Sequence, residues 1–153
     1  MKKATTGKSR RCVGCPEETA FLDLLRTTDT LSRGLFRVLK ADDLSPTQYN
    51  VLRILRGALD GLSCGEIAGR MITRDPDVTR LLDRLEKRKL ISRSRDARDR
   101  RTVLARITPE GLKLLAGLDG PVLAAHRKQL GHLGHERLQA LTELLRLSRG
   151  QVT

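Results

Sequence analysis

Arginines are concentrated in two neighbouring stretches of this sequence, residues 77–87 and 96–101. The first stretch mixes polar and apolar side chains, and the second is polar except for Ala97. A guanidinium group carries a planar fork of donors that fits a phosphate group or the edge of a guanine base. These stretches therefore predict the binding of an extended anion. The candidate residues are Asp77, Thr79, Arg80 and Arg84 in the first stretch and Asp96, Arg98, Asp99, Arg100 and Arg101 in the second.

The positive charge of the chain is concentrated in the same region. Residues 70–106 hold thirteen basic and six acidic residues of a 153-residue chain whose net charge is +12, and residues 1–11 hold five basic residues and no acid. Such localised charge is typical of a nucleic-acid footprint. Two Phe, one Tyr and no Trp are too few for the aromatic platforms that stack single-stranded bases. The composition favours duplex DNA over RNA, and the lack of a run of about 18 apolar residues argues against a membrane span.

Helix-start signals divide the chain into elements. Ser45 and Ser63 each precede a Gln or Glu by three residues, which is typical of a capping box. Pro16 and the pair Asp75-Pro76 predict two further starts. The predicted order is helices over 16–40, from 46, from 64 and from 75, strands over 90–95 and 102–107, a helix from 109 that Gly120-Pro121 breaks or kinks, and helices over 122–130 and 135–148.

This order predicts a mainly α fold with a small β-hairpin. A short helix, a turn, a second helix and a hairpin make up a winged helix-turn-helix, and helices flank this unit on both sides. The predicted domains are a basic, flexible arm (1–15), an N-terminal dimerisation helix (16–42), a winged helix-turn-helix DNA-binding domain (43–108) and C-terminal dimerisation helices (109–153).

Four stretches carry a family resemblance: LSPTQY at 44–49, DVTRLLDRLEK at 77–87, DARDRR at 96–101 and ITPEG at 107–111. Together they make the run from Leu44 to Leu118 resemble the MarR family of bacterial transcription regulators. The resemblance implies a homodimer with interleaved terminal helices and one winged helix-turn-helix per subunit. It also implies that Arg98, in the Asp-x-Arg-Asp motif of this family, inserts into the minor groove.

The fourth predicted helix has the pattern of a recognition helix. Its apolar residues share one face, so its polar residues face outwards. The N-terminal residues of such a helix reach base edges, which favours Asp77, Thr79 and Arg80, with Arg84 one turn further along. Arg80 fits a guanine and Thr79 a thymine methyl group or a phosphate. Asp77 could accept from a cytosine amino group, but we favour an interaction with the helix dipole.

The tip of the hairpin forms the second candidate contact. Arg98, Arg100 and Arg101 could enter a narrow minor groove, where the electrostatic potential is most negative. Asp96 and Asp99 are expected to pair with neighbouring arginines and order the loop. Taken alone, the first stretch could be an ordinary solvated helix face and the second an ordinary charged turn. Because the two cationic stretches lie on adjacent predicted elements, DNA binding is favoured.

The cysteines allow several interpretations. Cys12 and Cys15 have the spacing of a redox or metal pair, although two ligands are too few for structural zinc, and we predict no metal site. Cys15 precedes a helix start, which favours the reactive thiolate. A small thiol oxidoreductase is the alternative function, but the βαβ context of such enzymes is missing. An odd count of three cysteines predicts a reducing cytoplasm.

The remaining predictions concern regulation. By placement along the chain, Leu25, Asp29, Tyr49 and Arg53 are candidate walls of an effector pocket, and Arg53 could bind the carboxylate of a phenolic or anionic effector. The sequence thus predicts a cytoplasmic, homodimeric regulator without cofactor or enzymatic activity. It is expected to repress transcription from a pseudo-palindromic duplex, and a small ligand or oxidation would release it.

Overall fold

The computed structural model describes residues 14–75 and 77–150, so the predictions for Cys12 and most of the basic arm lie outside the described residues. The chain divides into two units, residues 1–32 and 33–153. The helices are α1 (Pro16–Leu39), α2 (Pro46–Arg56), α3 (Cys64–Arg70), α4 (Val78–Lys87), α5 (Pro109–Leu130) and α6 (His135–Ser148). The strands are β1 (Leu62–Ser63), β2 (Ile91–Arg95) and β3 (Val103–Ile107). The mainly α fold with a small hairpin is confirmed.

Capping boxes begin α2 and α3 as the sequence predicts. The Ser45 hydroxyl accepts from the backbone N–H of Gln48, and the Gln48 side chain accepts from the N–H of Ser45. Ser63 and Glu66 exchange the same two bonds at α3. The bonds that Ser63 donates hold the pKa of Glu66 below its ordinary value. Both starts are therefore fixed by side chains that satisfy the first free amides of the helix.

Helix α4 begins later than the sequence predicts. Its first residue is Val78, and the side chain of Asp77 caps it by accepting from the N–H of Arg80. The prediction that Asp75-Pro76 opens this helix is wrong. Asp75 instead accepts a bond from the N–H of Asp77, 2.9 Å away, and so shapes the turn before the cap.

Two further differences concern β1 and α5. The two residues of β1 pair with β3, which gives a three-stranded antiparallel sheet in the order β1-β3-β2. The sequence predicts a break or a kink at Gly120-Pro121, and the break is wrong, because α5 continues through Pro121 to Leu130. Leu118 and Val122, on either side of the proline, are both buried in the core. Packing on both sides holds the helix across the missing hydrogen bond.

The second unit contains the hydrophobic core. Helix α4 contributes one apolar face to it, and the hairpin contributes the buried residues Ile91 and Ala105. The hairpin register pairs Ile91 with Ile107 and Arg95 with Val103. A Cβ at Gly111 would lie 2.3 Å from the carbonyl oxygen of Leu90, so only glycine lets α5 approach the start of the hairpin this closely.

The described part of the first unit, residues 14–32, consists largely of residues 16–32 of α1. Several of its large apolar side chains are exposed, and Phe21 keeps 59% of its surface accessible. The others are Leu22, Leu24 and Leu25. Among the described helices, none has the length and apolar character needed to cross a membrane.

Candidate nucleic-acid interface

Helix α4 separates its apolar and polar residues onto opposite faces. Val78, Leu81, Leu82 and Leu85 are buried. The exposed residues of the helix are Thr79, Arg80, Arg84 and Lys87. Because the buried face packs into the core, the cationic face is held outwards on a fixed scaffold. This places three predicted groove-facing residues, Thr79, Arg80 and Arg84, on one accessible surface.

Asp77 lies at the start of this surface and is bonded to Arg80. One of its carboxylate oxygens accepts from the backbone N–H of Arg80 at 3.1 Å. The other lies 3.0 Å from the guanidinium Nε of the same residue. Asp77 thus caps α4 and holds the Arg80 side chain at the first turn. An acid at this end of a helix also interacts favourably with the helix dipole.

The tip of the hairpin is ordered by carboxylates that accept from backbone amides. Asp96 accepts from the N–H of Arg98 and Asp99 from the N–H of Arg101, both at 3.0 Å. The amide of Asp96 also donates to the carbonyl of Thr102 at 2.9 Å. The bonds to the arginines thus involve their main chains, whereas the sequence predicts pairing with their side chains. Within the described residues, the guanidinium groups of Arg98, Arg100 and Arg101 have no bonded partner.

Arg93, in the middle of β2, links the hairpin to α4. Its guanidinium donates to Glu86 through Nε at 2.9 Å and through Nη2 at 2.6 Å. Nη2 also donates to Asp83 at 2.5 Å. The backbone N–H of Arg93 donates to the second carboxylate oxygen of Glu86 at 3.1 Å. The three side chains form one ion-pair network, which we call the wing-base network (Asp83, Glu86 and Arg93).

The wing-base network changes the acidity of its members. The hydrogen bonds from Arg93 hold the pKa of Glu86 below its ordinary value. The pKa of Arg93 is raised, chiefly by its bond to Glu86. This network was not predicted from the sequence. Its only sequence signal is a pair of acids three residues apart on a predicted recognition helix, where acids would repel phosphates.

A second ion pair joins α2 to α5. Nη1 of Arg56 lies 3.0 and 2.9 Å from the two carboxylate oxygens of Asp119. The bond from Arg56 lowers the pKa of Asp119. Like the wing-base network, this pair is partly exposed, but it lies outside the hairpin and α4. Breaking this pair is therefore a control for breaking the wing-base network, because both changes remove a partly exposed ion pair.

The predicted redox and effector residues are only partly described. The Cys15 thiol donates to Glu17 at 2.9 Å. Tyr49 is 6% exposed and belongs to the core, and the Arg53 guanidinium lies 5.8 Å from the centre of its ring. Leu25 and Asp29 belong to the first unit. No group of three metal-binding side chains occurs in the part of the chain that the structure describes.

Known transcription regulators are similar to this chain in sequence and in structure. The sequence profile of the MarR family matches residues 44–103. The crystal structure of a MarR transcription factor from Planctomyces limnophilus is 40% identical, with a TM-score of 0.68, over 90% of this chain and 99% of that protein. The transcriptional regulator MhqR of Bacillus subtilis, named as helix-turn-helix type, is 25% identical over 82% of this chain and 86% of its own length.

A third relative has a named ligand. The structure of BpsR from Bordetella bronchiseptica has a TM-score of 0.79 and is 24% identical, over 89% of this chain and 96% of that protein. In BpsR, 6-hydroxynicotinic acid regulates DNA binding. At this level of identity the likeness shows a shared fold.

Proposed function

Because this chain belongs to the MarR family of DNA-binding transcription regulators, we propose that it binds duplex DNA through α4 and the tip of its hairpin. In this proposal, residues 43–108 are the DNA-binding domain, α4 enters the major groove and the tip enters the neighbouring minor groove. The observation that carries it is the exposure of two cationic surfaces on adjacent elements of one packed unit.

Each surface has a different task. Arg80 and Thr79 contact base edges, and Arg84 contacts a base or a phosphate one turn further along the helix. Asp77 acts as the cap that orients Arg80, since its carboxylate already has partners. Arg98 inserts into the minor groove, and Arg100 and Arg101 bind the phosphates on its edges. Asp96 and Asp99 order the loop that presents these arginines.

We further propose that the protein acts as a homodimeric repressor in the cytoplasm. The exposed apolar residues of α1 in the first unit, and Leu144 and Leu147 of α6 in the second, are surfaces that a partner subunit would cover. In a dimer, two copies of α4 would read half-sites about 34 Å apart, one turn of DNA. Residues 16–42 and 109–153 would supply the dimer helices.

Release from DNA is proposed to follow the binding of a small anionic or phenolic effector. Arg53 carries the charge that a carboxylate would need, and Tyr49, whose ring centre lies 5.8 Å from the Arg53 guanidinium, is a second candidate wall. Oxidation of Cys12 or Cys15 is the alternative trigger. The regulation of BpsR by 6-hydroxynicotinic acid, a hydroxylated aromatic acid, supports the first route. The known relatives are transcription regulators, and we propose no enzymatic activity or cofactor for this chain.

The test is the selection of duplexes from a random library by the purified full-length chain. We expect an enriched, pseudo-palindromic sequence, and we expect Arg98→Ala to weaken binding to it by about tenfold or more. Lys113→Ala removes the same charge from an exposed position on α5 and should leave binding nearly unchanged. Absence of any enriched sequence would contradict the proposed function.

A further inference from the structure

We propose that Arg93 is a positioning residue that fixes the hairpin relative to α4, so that both surfaces meet one duplex in register. This inference rests on the proposed function. In this proposal, Arg93 itself does not contact DNA. It acts through Arg98, whose distance from Arg80 depends on the angle at which the hairpin leaves the core.

The geometry of the wing-base network is suited to hold β2 against α4. Asp83 and Glu86 lie about one turn apart on α4, and the Arg93 side chain, 26% exposed, is bonded to both. The main-chain bond from Arg93 to Glu86 also fixes β2 itself. A fork held by two carboxylates and a backbone amide resists rotation more than a single ion pair does.

The position of Arg93 allows the wing-base network to control the orientation of the hairpin tip. Arg93 pairs with the buried Ala105 at the centre of the hairpin, and Arg98 follows five residues later. At about 3.3 Å per residue, the tip extends up to about 17 Å beyond Arg93. A rotation of about 10° at Arg93 would move the tip by about 3 Å, enough to lose a groove contact.

The network also neutralises acids on the DNA-facing helix. Asp83 and Glu86 would otherwise place two negative charges near phosphates. Because Arg93 is bonded to these acids, it should release few counterions when DNA binds. A phosphate-binding arginine, by contrast, contributes about one unit to the slope of log K against log salt.

The test is a double-mutant cycle on Arg93→Gln and Arg98→Ala. Binding of each full-length variant is measured by fluorescence anisotropy on the duplex selected by the wild-type chain and on a scrambled duplex of the same composition. We expect each single change to weaken specific binding by about tenfold, with far less effect on the scrambled duplex. In the Arg93→Gln background, Arg98→Ala should weaken specific binding little further, because the tip is already out of register with the groove.

Controls separate positioning from folding. Arg56→Gln breaks the ion pair to Asp119 and should leave specific binding close to wild type. If Arg93→Gln is unfolded at the assay temperature, Glu86→Gln replaces it in the cycle and retains most of the side-chain volume. Arg93→Lys keeps the charge without the fork, so it should restore only part of the affinity.

The outcomes are distinct. If the two changes weaken binding independently, or if the double variant lowers the salt slope clearly more than Arg93→Gln alone, the positioning role is wrong. If the wild-type chain enriches no duplex, the proposed function itself fails. If a duplex is selected but the free-energy effects of the two changes are additive, Arg93 has no positioning role, whereas the DNA-binding proposal is unaffected.

Discussion

The base and the tip of the hairpin use the same residue type in opposite ways. At the base, Arg93 is bonded to two carboxylates and is mostly covered. At the tip, Arg98, Arg100 and Arg101 lie at the surface, and the loop acids bond to main-chain amides. The acids at the base neutralise an arginine, whereas those at the tip order the loop and leave its arginines available. An arginine that is bonded to two carboxylates and mostly covered serves the protein itself, whereas an exposed arginine, even one with a single partner such as Arg80, remains accessible to an external anion.

The largest expected effect is on DNA affinity at the tip. Arg98→Ala should weaken specific binding by about 1–3 kcal/mol, because it removes a minor-groove contact, and should leave the free energy of unfolding unchanged. Anisotropy titrations and urea unfolding on the same samples measure the two quantities. A large loss of stability would give Arg98 a structural role like that of Arg93 and abolish the contrast.

The next effect is on stability at the base. Arg93→Gln should lower the free energy of unfolding by about 1 kcal/mol, since it leaves Asp83 and Glu86 without their shared cation in a partly exposed setting. Urea unfolding of wild type and variant measures the difference. The matched change Arg56→Gln should lower stability by a similar amount without weakening specific binding, and weaker binding in both variants would argue for a general effect of lost ion pairs.

Asp77 offers a comparison within α4. Asp77→Ala removes the N-cap and should destabilise the protein by about 1 kcal/mol. Asp77→Asn keeps a good cap and should keep stability, but it removes the ion pair that orients Arg80 and should lower DNA affinity slightly. Thermal unfolding and anisotropy distinguish the two. Strong loss of affinity in Asp77→Asn would indicate that the acid itself reads a base.

The smallest effect is a change in pH dependence. The folded-state pKa of Glu86 lies below its ordinary value of 4.5, chiefly because Arg93 donates to its carboxylate. The contribution of Glu86 to stability is therefore present above that pH and is lost as the pH falls through the folded-state pKa. Glu86→Gln should therefore reduce the loss of stability between neutral pH and about pH 3.5. Urea midpoints at the two pH values measure it, and an equal loss in both proteins would contradict this role of Glu86.

Local signals predicted most of the fold. Ser45 and Ser63 begin helices because a capping box is encoded within four residues, and the apolar face of α4 follows from helical spacing. The missed strand β1 has two residues and depends on pairing with β3, about forty residues away. Pro121 carries a strong local signal against helix that the packing of its neighbours overrides.

The candidate site was predictable to a similar degree. The outward face of α4 and the polar tip follow from spacing and composition, whereas the wing-base network depends on how β2 lies against α4. Arg93 occurs in a run of basic residues, and nothing in the sequence distinguishes it from Arg95. Only its distances to Asp83 and Glu86 identify it as a residue that neutralises the protein's own acids.

The most direct measurement is the salt dependence of binding to the selected duplex, compared between wild type, Arg98→Ala, Arg93→Gln and the double variant. We expect a steep fall of affinity with salt for the wild type and a slope smaller by about one unit for Arg98→Ala. Arg93→Gln should also lower the slope, because it moves the tip arginines away from the groove, and adding Arg98→Ala should lower it little further. A shallow slope in the wild type would contradict the proposed DNA binding, and reductions that add in the double variant would contradict the positioning role of Arg93.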